Sequence, residues 1–181
     1  ALAGELSLAL FRVKLDALSV SASEIAAARD AAPKEALAAL GLAARRIEDY
    51  HRRQMPADLD YRDASGVRLG ARWRPIGAVG LYVPGGSAAY PSSVLMSAVP
   101  ARVAGVTRLV MVVPMPEGRV NPLVLAAADL AGIHEIYRIG GAQAVAALAC
   151  GTETIRRVDK VIGPGNAYVA AAKRRVFGVV G

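Results

Sequence analysis

The sequence predicts an α/β fold in which a parallel sheet flanked by helices occupies residues 76–181, preceded by a helical N-terminal segment. Three observations carry that expectation. Short apolar runs at Ile76–Val83, Leu109–Val113, Glu135–Ile139 and Lys160–Ile162 are each followed by a helical stretch, at Ser93–Ala104, Pro122–Ala131, Ala142–Ala149 and Ala167–Phe177. They recur about every 25–30 residues, the spacing of βαβ units. Hydrophobic residues make up 54% of the chain and charged residues 20%, ample apolar material for a core.

The N-terminal segment, from residue 1 to about 56, reads as helical. Ser21 and Glu24 have capping-box spacing, in which each side chain satisfies one orphan amide at a helix start. Pro33 suits the first turn of a second helix, where its missing donor is not needed. Beyond it Leu37, Leu40, Ala44 and Ile47 recur at three- and four-residue intervals, opposite Arg45, Glu48, Asp49 and Arg52. That helix should end near Met55-Pro56. Residues Asp58 to Gly70 are polar and turn-rich, and form the expected boundary.

From Trp73 onward the strand–helix alternation begins. Asn121-Pro122 opens one helix and Gly132 closes it. Pro100 should kink or shorten the first helix of this half. The apolar run Val176–Gly181 reads as the approach to another strand, so a truncated chain is expected.

Composition also restricts function. The net charge is +7, but the arginines are scattered as Arg45-Arg46, Arg52-Arg53, Arg156-Arg157 and Arg174-Arg175, with no aromatic platform or basic tail. A nucleic-acid-binding domain is therefore not the expected reading. The uncharged stretch from Pro75 to Ala101 is broken by Pro84-Gly85-Gly86, which argues against a membrane span. The single cysteine, Cys150, fits a reducing compartment, and a cytoplasmic protein is expected.

Three glycine turns close predicted strands, at Tyr82–Gly86, Ile139–Gln143 and Ile162–Asn166. In a parallel sheet all three fall on the edge formed by the strands' carboxyl ends, where α/β folds bind ligands. Each places a polar side chain, Tyr82, Gln143 or Asn166, beside its glycines, so these three are the candidate ligand contacts. Ordinary turn chemistry accounts for the same glycines equally well from spacing alone. The pattern is not G-x-G-x-x-G, so any nucleotide site is of another type. His51 and His134 lack metal-ligand spacing, Cys150 is expected as a buried structural thiol, and Asp159 as strand-entry surface charge. No general acid–base pair stands out.

Four blocks carry a family resemblance: Ile76-Gly-Ala-Val-Gly-Leu-Tyr-Val-Pro-Gly-Gly86, Tyr90-Pro-Ser-Ser-Val-Leu-Met96, Gly140-Gly-Ala-Gln-Ala144 and Lys160-Val-Ile-Gly-Pro-Gly-Asn166. In order and spacing they resemble histidinol dehydrogenase. The resemblance implies a zinc-dependent homodimeric enzyme that oxidises L-histidinol to L-histidine in two NAD-linked steps, the last of histidine biosynthesis. It implies NAD contacts at Tyr82, Gln143 and Asn166. It also implies a division into residues 1–75, part of an incomplete first domain, and 76–181, a Rossmann-like NAD-binding domain. The family's Ala-Gly-Pro-Ser-Glu motif, zinc ligands and Glu-His acid–base pair lie further on. The expectation is thus no catalytic or metal residue in this chain, inactivity alone, and pairing with a second copy or a C-terminal half. The alternative is a stand-alone nucleotide-binding or regulatory module without catalysis.

Overall fold

The computed structural model of the protein describes residues 17–85, 90–116 and 121–181. The helical reading of residues 1–16 therefore lies outside the described residues.

Helix α1 spans Ala22–Ala31 and opens with the capping box expected of Ser21 and Glu24. The Ser21 hydroxyl accepts the Glu24 amide at 3.3 Å, and a Glu24 carboxylate oxygen accepts the Ser21 amide at 2.9 Å. Helix α2, Lys34–Arg52, follows Pro33 directly. It lays Leu40, Ala43, Ala44 and Ile47 against the core, yet no residue of it is fully buried.

The polar, turn-rich boundary segment contains strands that its composition does not suggest. Strands β1 (Leu59–Arg62) and β2 (Arg68–Ala71) form an antiparallel hairpin. Its turn is built by Asp63, whose Oδ1 accepts the amides of Ser65 and Val67, both at 2.9 Å. Leu59 stands opposite Ala71 and Tyr61 opposite Leu69, so one face of the ribbon is apolar. The other carries Asp60 and Arg68, paired through two hydrogen bonds. All eight strand residues are exposed.

Strands β3 (Ala78–Tyr82), β4 (Arg108–Val112), β5 (Glu135–Tyr137) and β6 (Lys160–Ile162) make one parallel sheet in the order β5-β4-β3-β6. Helices α3 (Pro91–Val103), α4 (Pro122–Leu130), α5 (Gly141–Cys150) and α6 (Ala167–Val176) alternate with them. Because side chains alternate along a strand, Val79, Leu81 and Val83 join Leu109, Met111 and Val113 in a core closed by α1, α3 and α4. Tyr82, Val110 and Val112 project to the opposite core, closed by Val145 and Leu148 of α5 and Val169 of α6. The α/β architecture with a helix-flanked parallel sheet is as expected.

Helix α3 runs three residues beyond Pro100, which lies inside it. The carbonyl that Pro100 deprives of its usual amide donor belongs to Met96, a residue 66% exposed.

The N-terminal segment is stitched to the sheet by Ser19, which bridges antiparallel to Tyr137. Val20 donates to Ile136 and Arg138 donates to Leu18. Glu24 and Arg138 lock this seam with a salt bridge. The Arg138 hydrogen bond, then the Ser21 amide, hold the Glu24 carboxyl at about 2, against 4.5 unperturbed. A carboxyl depressed by folding contributes stability fully above its unfolded value and loses it as pH falls toward the folded one. Here that window runs from about 4.5 down to about 2. The carboxylate is nearly half exposed, so solvent screening limits the pair to about 1 kcal/mol or less. Glu24→Gln is expected to cost that much at pH 7 in urea titrations, and clearly less near pH 2, where the folded carboxyl is about half protonated. An equal loss at both pH values would refute the assignment.

Candidate active site at the sheet's switch point

From β3 the chain adds β4 and then β5 on one side, after which α5 carries it back to β6 on the other. The direction of winding therefore reverses between β3 and β6. Helices leaving adjacent strands on opposite sides open a crevice beyond the carboxyl ends at such a point, and open α/β sheets bind ligands there.

Tyr82 ends β3 at this point. Its ring is buried, and the Gly141 amide donates to its hydroxyl oxygen at 3.0 Å. One lone pair is thereby occupied, which leaves the O–H free to donate to a ligand. Burial pushes the Tyr82 hydroxyl pKa up, partly offset by the Gly141 hydrogen bond, so it keeps its proton at neutral pH.

Gln143 lies in the first turn of α5, beside the same glycine. A Cβ on Gly141 would sit 2.8 Å from the Gln143 Oε1, and Gly141 has φ +71°. Glycine is thus required twice there, for its left-handed backbone and for the side chain folded over it. The Gln143 Nε2 is buried without a hydrogen-bond partner. An orphaned buried amide costs about 1–3 kcal/mol, and a polar ligand in the crevice would relieve that.

Asn166 caps α6, its Oδ1 accepting the Val169 amide at 3.1 Å, so its Nδ2 group remains available as a donor. The turn before it is pressed against β3, since a Cβ on Gly163 (φ +109°) would lie 2.1 Å from the Tyr82 carbonyl oxygen. The structure thus brings Tyr82 and Gln143 together around Gly141. It sets Asn166 on the adjoining turn, with no hydrogen bond from its side chain to the other two among the described residues. These groups supply donors and no charge of their own, a set that fits the polar edges and phosphates of a dinucleotide.

Sequence reasoning missed several supporting residues. Asp159 is no idle surface charge. Its Oδ2 accepts the Ala78 amide at 2.8 Å and so fixes the start of β3. Arg108 and Glu135 form a two-bond ion pair, from which Arg108 also reaches the carbonyls of Arg156 and Arg157. This clamp ties β4 and β5 to the segment entering β6. Neither pairing is legible at sequence separations of 81 and 27. Cys150 is exposed, not buried. It falls four and eight residues after Ala146 and Ala142, on the outward stripe of α5 that lines a groove of about 980 Å³ against α6.

Among the described residues no three His, Cys, Asp or Glu side chains converge as metal ligands, so they do not fit a catalytic zinc site. No described helix is long and apolar enough to cross a membrane.

The family model described as histidinol dehydrogenase matches residues 3–181. The histidinol dehydrogenase of Brucella abortus (strain 2308) is 68% identical over 164 residues, covering 91% of this chain and 38% of that protein. That of Rhizobium meliloti (strain 1021) is 62% identical over 185 residues, covering 98% and 43% respectively. The crystal structure of histidinol dehydrogenase from Elizabethkingia anophelis superposes with a TM-score of 0.94 at 38% identity, over 98% of this chain and 41% of that one. This chain therefore spans about two-fifths of the length of the relatives it matches.

Proposed function

The chain belongs to the histidinol dehydrogenase family, and from that premise we propose that it is the NAD-binding part of such an oxidoreductase. Tyr82, Gln143 and Asn166 are the cofactor contacts. The observation that carries this reading is the meeting of the Tyr82 hydroxyl and the Gln143 amide at Gly141, 59 residues after Tyr82, beside the switch point. The dinucleotide, when bound, supplies the hydride acceptor. The chain's own residues bind and orient it: Tyr82 donates its hydroxyl proton, Gln143 finds a partner for its orphaned amide, and Asn166 offers its Nδ2 group.

The complete reaction in this reading is the two-step NAD-linked oxidation of L-histidinol to L-histidine, with zinc. The metal ligands and acid–base groups would lie in the part of the longer relatives that this chain does not match. Residues 1–75 are read as part of a first domain completed from outside, one whose α1 and α2 also pack on the core of the parallel sheet. The exposed apolar face of Leu59, Tyr61 and Leu69, and an α2 helix without a buried residue, support that division. An isolated two-stranded ribbon is marginal in water and gains from a cover, supplied by the rest of a longer polypeptide or by a second copy in a homodimer. The exposed thiol of Cys150 suits a reducing, cytoplasmic setting.

Calorimetric titration with NAD tests the reading. Gln143→Ala is expected to weaken binding by about 1–3 kcal/mol, with Tyr82→Phe and Asn166→Ala weakening it in the same direction. Unchanged affinity in all three would overturn it. The same preparation, assayed with histidinol, NAD and zinc, is expected to show no turnover, since a catalytic zinc needs about three converging protein ligands.

A further inference from the structure

Three basic residues close α6, Lys173, Arg174 and Arg175, and they do not behave alike. The two arginines are exposed. Lys173 turns inward, on the stripe shared with Val169, Ala172 and Val176, which pack against the core. Its Nζ donates to the Gly163 carbonyl at 2.5 Å. No carboxylate pairs with it among the described residues. Burial pushes its pKa down, which marks a cation kept partly out of water. For the flexible, strongly hydrated lysine this is a costly placement, and a helix terminus needs no such inward cation when two exposed arginines already face its dipole.

What the bond holds explains the placement. Gly163 is the hinge of the β6–α6 turn, pressed against the Tyr82 carbonyl by a backbone that only glycine adopts easily. From it the chain passes through Pro164 and Gly165 to Asn166, whose side chain caps α6. Lys173 thus closes a loop from the second turn of α6 back to Gly163, three residues before Asn166.

We propose that Lys173 is a positioning residue for the cofactor site, acting through the Gly163 carbonyl to set the turn that presents Asn166. The proposal rests on the reading of Asn166 as a cofactor contact, and the experiment separates the two.

Lys173→Met keeps the stem and removes the donor, while Lys173→Arg restores one. NAD affinity and amide hydrogen exchange are measured on the 181-residue chain. In Lys173→Met the Val169 amide, capped by Asn166, is expected to exchange at least about tenfold faster, while the Gly141 amide held by Tyr82 keeps its rate. NAD affinity should fall about 3- to 10-fold, with Lys173→Arg recovering much of both losses, whereas a merely structural role would lower Tm and leave affinity intact. Unchanged exchange at Val169 overturns the proposal whether or not NAD binds. Faster exchange with unchanged affinity also overturns it if Asn166→Ala weakens binding. If Asn166→Ala is without effect, the cofactor reading of Asn166 fails and the proposal with it.

Discussion

Gly163→Ala is expected to destabilise the protein by about 2–4 kcal/mol and to abolish measurable NAD binding in the residual native fraction. Two costs coincide there. An L-residue at φ +109° is strained by about 1–2 kcal/mol. The added Cβ would also lie 2.1 Å from the Tyr82 carbonyl oxygen, a backbone atom that cannot step aside without dragging β3. Overpacking of that kind costs about 1–3 kcal/mol. Against a total stability of about 5–15 kcal/mol for a domain, the loss is large. In a chain of 181 residues it corresponds to a fall in Tm of about 5–15 °C. Relief of the clash would move the β6–α6 turn, and with it Asn166, away from Tyr82. Differential scanning calorimetry with an NAD titration reads both effects. A variant within 1 °C of the parent would show that the turn has room that this geometry denies it.

Leu148→Ala is expected to cost about 2–5 kcal/mol, the range for emptying a leucine site in a closed core. Leu148 has no exposed surface and lies over the strand next to the switch point, where Gly80 has no side chain to keep it away. A Cβ on Gly80 would stand 2.9 Å from a Leu148 methyl, so the helix–sheet spacing is set by that bare backbone. Leu148 is packed in a cluster with Val110, Val112, Val145, Ile155 and Val158, close-packed side chains that relax only partly into a void. Leu148→Met, which conserves volume, should cost less than about 1.5 kcal/mol. Equal stability of the alanine and methionine variants in urea would contradict the packing account.

The alternation of apolar runs with helices was enough to read the parallel sheet, because each run pays for burial on both faces and so shows as continuous apolar sequence. All four strands fall within the runs or one residue beyond them, and the capping box of Ser21 and Glu24 is local chemistry over three residues. The hairpin at Leu59–Ala71 was hidden for the opposite reason. Its strands are four residues long and fully exposed, so they carry no buried apolar run to mark them within a polar, turn-rich segment. Cys150 was misjudged because residue type alone favours burial, whereas its position on the outward stripe of α5 decides its exposure.

The sequence by itself determined the α/β class, the order of elements from Ala78 onward and three polar side chains at or just after strand ends, since all depend on neighbours in the chain. It did not determine that β6 lies beside β3, because strand order depends on which way α5 crosses the sheet. Only the tertiary structure decided that Gly141 would meet Tyr82, that Asp159 would hold Ala78, and that Lys173 would reach back to Gly163. The first two of those contacts join residues 59 and 81 positions apart, and the third depends on which face of α6 the sheet buries. Side-chain identity alone encodes neither. They follow from packing two helical layers on one twisted sheet, which fixes distances that no local pattern contains.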